Sequence, residues 1–219
     1  VLDRIGTEIL DRANELGTLL SREQGKVLAE GIGEATRAGQ IFKFYAQEAL
    51  RIEGVHIQSI RPGVTVDVRR EPVGVVGLIT PWNFPIAIPA WKLAPALAYG
   101  NTVVLKPADL TPGCAWALAE IISRSGLPEG VFNLVMGRGS IVGDIISRSA
   151  SVNAVSFTGS VATGQIIRDI VASRGGKLQQ EMGGKSPLIV MDDANLDTAI
   201  DCAIGGSIMS TGQRCTSNT

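Results

Sequence analysis

From Val73 onward, short apolar runs alternate with longer segments that have the periodicity of helices. The run VGVVGLIT, residues 73–80, is apolar up to its last residue, as expected for a strand covered on both faces of a sheet. We predict further strands at 101–106, 131–136 and 152–157, an edge strand at 177–182 and a buried strand at 187–191. Helices are predicted between them, at 86–98, 112–125, 139–149, in the segment that ends near 173, and at 195–211. This alternation predicts an α/β fold in which right-handed crossovers build a parallel sheet.

Two helices and a hairpin are predicted before the sheet. Apolar residues recur every three or four positions through residues 1–20, which indicates a helix, and a second helix is predicted over 22–50. Residues 55–70 alternate around Arg61-Pro62-Gly63, and a Pro-Gly pair between two alternating runs is typical of a hairpin. The first helix has no N-cap residue before it, so we expect this sequence to be a fragment of a longer protein.

In parallel sheets of this kind, ligands bind beyond the carboxyl ends of the strands. The loops at those ends are Thr80–Pro85, Lys106–Asp109, Gly137–Ser140 and Thr158–Gly164. We expect these loops to meet along one rim of the sheet, and the functional residues to lie there.

Two glycine-rich segments on this rim could hold a phosphate. GRGSIVG, residues 137–143, is similar to the dinucleotide fingerprint G-x-G-x-x-G, but its third glycine is one residue late and the expected acidic residue is missing. We therefore favour a tight turn beside the site. FTGSVATG, residues 157–164, opens a helix at Gly159 and Ser160, where free backbone N–H groups suit an anion. The alternative is that Thr158 or Ser160 only caps the helix.

Two polar segments near strand ends complete the candidate rim. Lys106 and Asp109, in KPAD, could bind the hydroxyls of a ribose or could form a surface ion pair. Asn83, in TPWNFP, could donate its side-chain amide to an oxyanion, a contact whose loss typically costs about 10²–10³ in rate. An Asx-type turn is the structural alternative for Asn83.

Cys215 is the candidate nucleophile. Cys114 and Cys202 lie among Ala, Ile and Leu and are interpreted as inert apolar residues. Cys215 instead stands in a polar Gly-Gln-Arg segment, where the adjacent arginine would favour the thiolate. The one histidine, His56, lies in the predicted hairpin, so the expected base is a carboxylate. Glu181, just before a Gly-Gly pair, is the candidate.

The charge balance gives no electrostatic sign of a nucleic-acid or membrane partner. Lysine plus arginine number 20 and aspartate plus glutamate 21, so nothing indicates nucleic acid or an anionic membrane as a partner. The apolar stretch 73–91 contains prolines that indicate a strand, a loop and a helix instead of a membrane span. Three cysteines and one histidine provide no disulfide framework and no metal-ligand pattern. We expect a cytoplasmic protein without a metal site.

The motifs TPWNFP, LKPAD, FTGS, EMGGKSP and GQRCT occur in the order and spacing of the aldehyde dehydrogenase superfamily, which this chain resembles over essentially its whole length. KPADLTP and GQRCT are most similar to bacterial semialdehyde dehydrogenases of the oxoglutarate- or succinate-semialdehyde kind. The resemblance implies NAD(P)-dependent oxidation of an aldehyde, with a small carboxylated semialdehyde as the candidate substrate. It also implies that the chain covers about half of a family member and would be inactive alone.

The resemblance gives each motif a role. Cys215 would form a thiohemiacetal and then a thioester, Asn83 and the Cys215 backbone N–H would hold the oxyanion, and Glu181 would activate water. Ribose contacts would come from Lys106 and Asp109. The remaining cofactor contacts would be Gly159, Ser160 and Gly164 at the pyrophosphate, with Thr80, Trp82, Thr158 and Met182 beside them.

At two of these positions, Trp82 and Asp109, the assignment has an alternative. Trp82 would also line the substrate tunnel, with a core position as the alternative. The family more often has glutamate where this chain has Asp109, and an acidic residue there disfavours a 2′-phosphate. We therefore expect NAD, with NADP as the alternative.

By the same resemblance the chain has four parts. Residues 1–55 would be N-terminal helices of a Rossmann-like nucleotide-binding domain, 56–71 an oligomerisation hairpin, 72–180 the rest of that domain, and 181–219 the truncated start of an α/β catalytic domain. The full-length protein is expected to form a homo-oligomer, a dimer or tetramer. Two other functions stay open: a cysteine-based acyl hydrolase or transferase, and a non-catalytic nucleotide-binding fragment.

Overall fold

The computed structural model describes residues 1–218, which form helices around a central sheet. The strands are β1 (Val55–Gln58), β2 (Thr65–Val68), β3 (Val75–Ile79), β4 (Thr102–Lys106), β5 (Phe132–Leu134), β6 (Ala154–Gly159) and β7 (Lys177–Met182). The helices are α1 (Leu2–Asp11), α2 (Ala13–Gln24), α3 (Leu28–Glu48), α4 (Ala87–Ala98), α5 (Pro112–Ser123), α6 (Asp144–Arg148), α7 (Val161–Ser173) and α8 (Leu196–Ser207).

The central sheet has five parallel strands in the order β5-β4-β3-β6-β7. β4 and β5 are therefore added on one side of β3, and β6 and β7 are added on its other side. The order of the strands reverses between the paired strands β3 and β6. This is the topological switch point, and ligands of open α/β sheets bind beyond the carboxyl ends of the strands there. The predicted α/β fold with a Rossmann-like sheet is confirmed, as is the edge position of the 177–182 strand.

Helices cover both faces of the sheet because successive side chains of each buried strand point to opposite sides. Leu78 on β3 belongs to the larger core, where Val103 and Leu105 of β4 pack with α1 to α5. Its neighbour Ile79 belongs to the second core, with Val155 and Phe157 of β6 and with α7. The apolar run at 73–80 is thus buried from both sides, as its composition predicts.

The N-terminal region has three helices where the sequence predicted two. A break at Arg12 separates α1 from α2, and α2 continues to Gln24, past the predicted boundary near residue 20. The helix ends because Gly25 adopts a left-handed conformation with φ of 92°, which glycine takes without a Cβ clash. The second predicted helix begins at Leu28 as α3.

The hairpin is confirmed between β1 and β2, which pair antiparallel. Every residue of both strands is exposed. The arm therefore buries nothing within the part of the chain that the structure describes.

Three segments differ from prediction in their secondary structure. The strand predicted at 187–191 is wrong: no strand forms there, and Ile189 is 76% exposed. The helix predicted over 139–149 divides into a π-helical turn at Gly139–Gly143 and the short α6. The helix predicted over 195–211 ends at Ser207, followed by a 3₁₀ turn at Ser210–Gly212.

The missing strand has a physical explanation. Backbone groups in a strand need a partner, and among residues 1–218 only one bridge, from Ser186 to Asn218, connects this region to another segment. Apolar composition at 187–191 indicated burial but could not provide that partner. Asn195 caps α8, because its Oδ1 accepts from the Thr198 N–H at 2.9 Å. The last residue of the proposed 181–219 part, Thr219, lies outside the described residues.

Among residues 1–218, no helix combines the length and the apolar character needed to cross a membrane.

Candidate active site

A cleft of about 370 Å³ opens beyond the carboxyl ends of β3 and β6. It lies at the switch point of the sheet. Three sequence-predicted residues that are far apart in the chain, Asn83, Glu181 and Cys215, line it together. The other lining residues include Trp82, Thr158, Gly159, Ser160 and Met182. The expectation that the loops after β3 and β6 meet along one rim is therefore confirmed.

Asn83 reaches across this cleft to the segment that carries Cys215. Its Nδ2 donates to the backbone oxygen of Gln213 at 2.8 Å, whereas its buried Oδ1 has no partner among residues 1–218. A side-chain amide has two N–H donors, so one remains for an oxyanion. The Asn83 side chain bonds to a different segment, not to its own loop as an Asx turn would require.

The three cysteines have different surroundings. Cys215 is exposed in the cleft, and Cys114 is fully buried. Burial raises the pKa of the Cys114 thiol far above its ordinary value, which supports an inert role. The apolar interpretation of Cys202 is wrong for this structure, because Cys202 is exposed and α8 has no buried residue.

The arginine beside the nucleophile is partly engaged elsewhere. Arg214 Nη2 lies 3.6 Å from Glu30 Oε1, and the buried Arg214 Nε has no partner in the described region. The positive charge predicted to favour a Cys215 thiolate is therefore shared with a carboxylate.

Lys92 is a site residue that sequence reasoning missed. It lines an adjoining cleft of about 560 Å³ together with Glu181 and Cys215. Its Nζ donates to Ser156 Oγ at 2.6 Å and Gln179 Oε1 at 3.1 Å, and Gln179 Nε2 donates to Glu181 at 3.1 Å. Burial lowers the pKa of Lys92 to about 8, partly opposed by the charge of Glu181. The available signal was a single charge in the otherwise apolar helix sequence AIPAWKLAPALA.

The ends of β3 and β4 present two buried polar side chains, Thr80 and Lys106. Lys106 is 3% exposed, and its amine donates to the carbonyl of Pro107. Burial lowers the pKa of Lys106, against the opposing charge of the exposed Asp109. No ion pair joins Lys106 to Asp109 among the described contacts, so the surface-pair alternative is not observed. Thr80 Oγ1 is buried without a partner within residues 1–218.

The FTGSVATG segment follows its predicted path from β6 into α7. Ser160 caps the helix, because its Oγ accepts from the Thr163 N–H at 3.3 Å. The cap alternative is thus realised, while the role of these residues at a pyrophosphate stays a prediction. Gly164 lies buried, where an added Cβ would sit 2.4 Å from Met182 Sδ, so it allows α7 to pack closely on β7.

The GRGSIVG segment forms a turn beside the site. Gly137 has a φ of 145°, and a Cβ on Gly139 would lie 4.0 Å from Lys106 Nζ. The segment therefore lies beside Lys106 and continues into the π-helical turn at Gly139–Gly143.

Comparison with known proteins identifies the architecture. The profile of the Aldehyde dehydrogenase family matches residues 1–219. This chain belongs to the aldehyde dehydrogenase family. The resemblance inferred from five sequence motifs is therefore confirmed.

Relatives within the aldehyde dehydrogenase family differ in substrate and cofactor. The alpha-ketoglutaric semialdehyde dehydrogenase of Bacillus subtilis is 48% identical over 95% of this chain. An E. coli NADP-dependent enzyme of known structure has a TM-score of 0.96 at 40% identity over 99% of the chain. A betaine aldehyde dehydrogenase of Staphylococcus aureus, solved with NAD⁺, has a TM-score of 0.96 at 36% identity, also over 99%. The chain spans only 43%, 45% and 43% of these relatives, respectively.

Proposed function

We propose that this chain provides the nucleotide-binding rim, the nucleophile and the oxyanion site of an NAD(P)-dependent aldehyde dehydrogenase. The observation that carries the proposal is that Asn83, Glu181 and Cys215 line one cleft at the switch point of the sheet. A soft nucleophile, an amide donor and a carboxylate in one cleft are the groups needed for acyl chemistry through a covalent intermediate.

In the proposed reaction, the thiolate form of Cys215 attacks the aldehyde carbon through Sγ and forms a C–S bond, while the carbonyl electrons move to oxygen. The free N–H of Asn83 and the backbone N–H of Cys215 hold this oxyanion. Bound NAD(P)⁺ supplies the acceptor for the hydride that leaves the carbon. Collapse of the oxyanion gives a thioester. Glu181 then takes a proton from water, which attacks the thioester, and the C–S bond breaks to release the acid and the thiolate.

Several residues of the rim fit the nucleotide. The unpartnered hydroxyl of Thr80 and the buried amine of Lys106 stand at adjacent strand ends, where the dinucleotide would lie. We assign Lys106 and Asp109 to the ribose, and the N-terminus of α7 at Ser160 to the pyrophosphate. The carboxylate of Asp109 favours NAD over NADP, because it would repel a 2′-phosphate.

A carboxylated semialdehyde is the proposed substrate. A cleft between α3 and α4 contains Arg37, and no carboxylate lies within ion-pair distance of it among residues 1–218. The glutamates of this cleft already bind other groups. Phe84 and Arg214, the sequence neighbours of Asn83 and Cys215, line the same cleft. We therefore propose that Arg37 binds the distal carboxylate of an aldehyde held at Cys215.

This substrate assignment is tested with Arg37→Met in the full-length protein. Charge-assisted hydrogen bonds contribute about 1.5–3 kcal/mol, so kcat/KM for a semialdehyde should fall roughly 10- to 100-fold. Turnover of a neutral aldehyde should be unchanged, which provides the internal control. Equal losses for both substrates would contradict the assignment.

The exposed hairpin of β1 and β2 is proposed as an oligomerisation arm, since every residue of its strands is free to meet a partner chain. We also propose a cytoplasmic location, from the cysteine pattern alone. Deletion of the arm should lower the mass of the full-length protein in solution to that of a smaller assembly.

The reaction class is tested with the full-length protein, an aldehyde panel and both nucleotides. Aldehyde oxidation should require NAD(P)⁺ and yield reduced nucleotide, and Cys215→Ser should abolish turnover while nucleotide binding is retained. Acyl-ester hydrolysis without any nucleotide-dependent aldehyde oxidation would instead identify an acyl hydrolase. Full activity of Cys215→Ser would refute the covalent mechanism.

A further inference from the structure

We propose that four side chains at the corner between α2 and α3 are positioning residues that set the separation of Asn83 from Cys215. They are Gln24, Lys26, Glu30 and Glu34. The inference rests on the proposed oxyanion role of Asn83, and it assigns a task to buried charges that the mechanism does not use.

A buried ion pair holds the loop of Asn83. Lys26 Nζ lies 2.7 Å from Glu34 Oε2, with side-chain exposures of 1% and 2%. The same ammonium donates to the backbone oxygen of Asn83 at 3.0 Å and lies 4.0 Å from the ring centre of Phe84. Two neighbouring residues of the loop are thereby fixed by one charge.

The partner carboxylate fixes the end of the same loop. Glu34 Oε1 accepts from the N–H groups of Ile86 and Ala87, each at 3.0 Å. These are the first donors of α4, which a helix cannot satisfy internally. The loop is therefore attached at one end to Lys26, just before α3, and at the other to Glu34 on α3, and its backbone has little freedom to move the Asn83 amide.

A second pair of side chains holds the segment before Cys215. Both carboxylate oxygens of Glu30 accept from the Ser210 N–H, at 3.0 and 3.1 Å. Gln24 Nε2 donates to Thr211 Oγ1 and to Gln213 Oε1, each at 3.1 Å. These contacts reach two residues, Ser210 and Thr211, whose backbone has positive φ angles.

Ser210 and Thr211 have φ values of 54° and 61°. Non-glycine residues keep such angles only where their surroundings impose them. The contacts from Glu30 and Gln24 are the side-chain bonds that reach this turn from the helices. They therefore fix the direction in which the chain continues to Cys215.

The loop of Asn83 and the segment before Cys215 meet in the cleft. Asn83 Nδ2 donates to the Gln213 backbone oxygen at 2.8 Å. The two segments are therefore bonded to each other as well as to the corner between α2 and α3. Because both segments are attached to the same corner, we infer that this corner determines their separation. Preorganisation of this kind is required of an oxyanion donor.

The decisive experiment is a double-mutant cycle in the full-length protein, with kcat, KM and the NAD(P)⁺ dissociation constant as readouts. A donor misplaced by about 1 Å can cost roughly 10²-fold in rate. Lys26→Met should therefore lower kcat by about 10- to 100-fold with little change in nucleotide affinity. In the Asn83→Ala background the same substitution should lower kcat less than threefold, because the group it positions is gone.

Further variants separate positioning from folding. Lys26→Met leaves Glu34 buried without its partner and could prevent folding, whereas Lys26→Met with Glu34→Gln leaves no unpaired charge and should still lower kcat. Gln24→Ala alters an exposed contact and should give a smaller kcat loss in soluble protein. Lys26→Arg keeps the charge and should restore part of the kcat.

The outcomes distinguish this inference from the proposed function. If Asn83→Ala leaves kcat unchanged, the proposed oxyanion role itself is refuted. If Asn83→Ala lowers kcat but the folded Lys26→Met/Glu34→Gln variant does not, the positioning role is refuted and the proposed function stands. Equal losses from the Lys26 substitution with and without Asn83 would also refute positioning, because they would indicate a general structural effect.

Discussion

Lys92 should titrate far below an ordinary lysine. Its amine is largely buried between α4 and the sheet, and removing an ammonium from water disfavours its charged form. This burial lowers the pKa of Lys92 from 10.5 to about 8, while the carboxylate of Glu181 acts in the opposite direction. At pH 8 about half of Lys92 would be neutral, whereas an ordinary lysine would be neutral in only about 0.3% of molecules. The neutral, nucleophilic fraction is therefore raised roughly a hundredfold.

The assay is pulse labelling of the full-length protein with a trace of amine-reactive reagent between about pH 6 and 11, which spans the titration range of lysine. The extent of labelling is read by peptide mass spectrometry. Labelling of Lys92 should reach half its maximum near pH 8. Glu181→Gln should move this midpoint to lower pH, because it removes the charge that favours the ammonium. Exposed lysines in the same digest provide the control. A Lys92 midpoint near 10.5, or an upward move in Glu181→Gln, would refute the reasoning.

The same shift affects folding stability with a definite sign. The folded pKa of Lys92 lies below its unfolded value, so between about pH 8 and 10.5 the unfolded chain binds more protons than the folded one. The contribution of Lys92 to stability therefore rises with pH across this window and is constant below it. Lys92→Met should remove that part of the pH dependence.

Three further predictions concern the rim and the helix packing. Thr80→Val, which removes an unpartnered buried hydroxyl, should leave the melting temperature nearly unchanged but weaken NAD(P)⁺ binding; an unchanged dissociation constant would argue against a nucleotide contact. Ser160→Ala removes the cap of α7 and should cost about 1 kcal/mol of unfolding free energy, measured by denaturant titration. Gly17→Ala places a Cβ 2.5 Å from the Ile32 backbone nitrogen and should destabilise by about 1–3 kcal/mol. The matched control is Gly33→Ala, whose added Cβ would have no atom within 4 Å, and it should be neutral or slightly stabilising. Equal changes in unfolding free energy for the two variants would contradict the packing described here.

Local pattern was sufficient for the central elements. β3, β4 and β6 are short apolar runs flanked by helical segments, and such runs are stable only inside a sheet that is covered on both faces. The same reasoning placed Asn83 and Ser160 at strand ends, because parallel strands put their carboxyl ends on one rim. The family motifs then assigned chemistry to positions that spacing alone left ambiguous.

Contacts between distant segments decided what the pattern could not. Residues 187–191 have the composition of a buried strand, yet they form none, because a strand depends on a neighbour that local sequence does not specify. The helical break at Arg12 and the exposure of Cys202 were missed for the same reason: both depend on what packs against the segment.

By itself, the sequence determined the α/β architecture, the hairpin and the place of an asparagine on the rim, since these follow from periodicity and strand direction. The family motifs then predicted that a cysteine and a glutamate act with that asparagine. Only the tertiary structure decided which charges are buried. Lys92, Lys26 and Glu34 read as ordinary polar residues, and their roles arise from the partners and the desolvation that folding imposes. Periodicity records which face of an element is apolar, but the electrostatic surroundings of a charged side chain depend on residues brought near it from elsewhere in the chain.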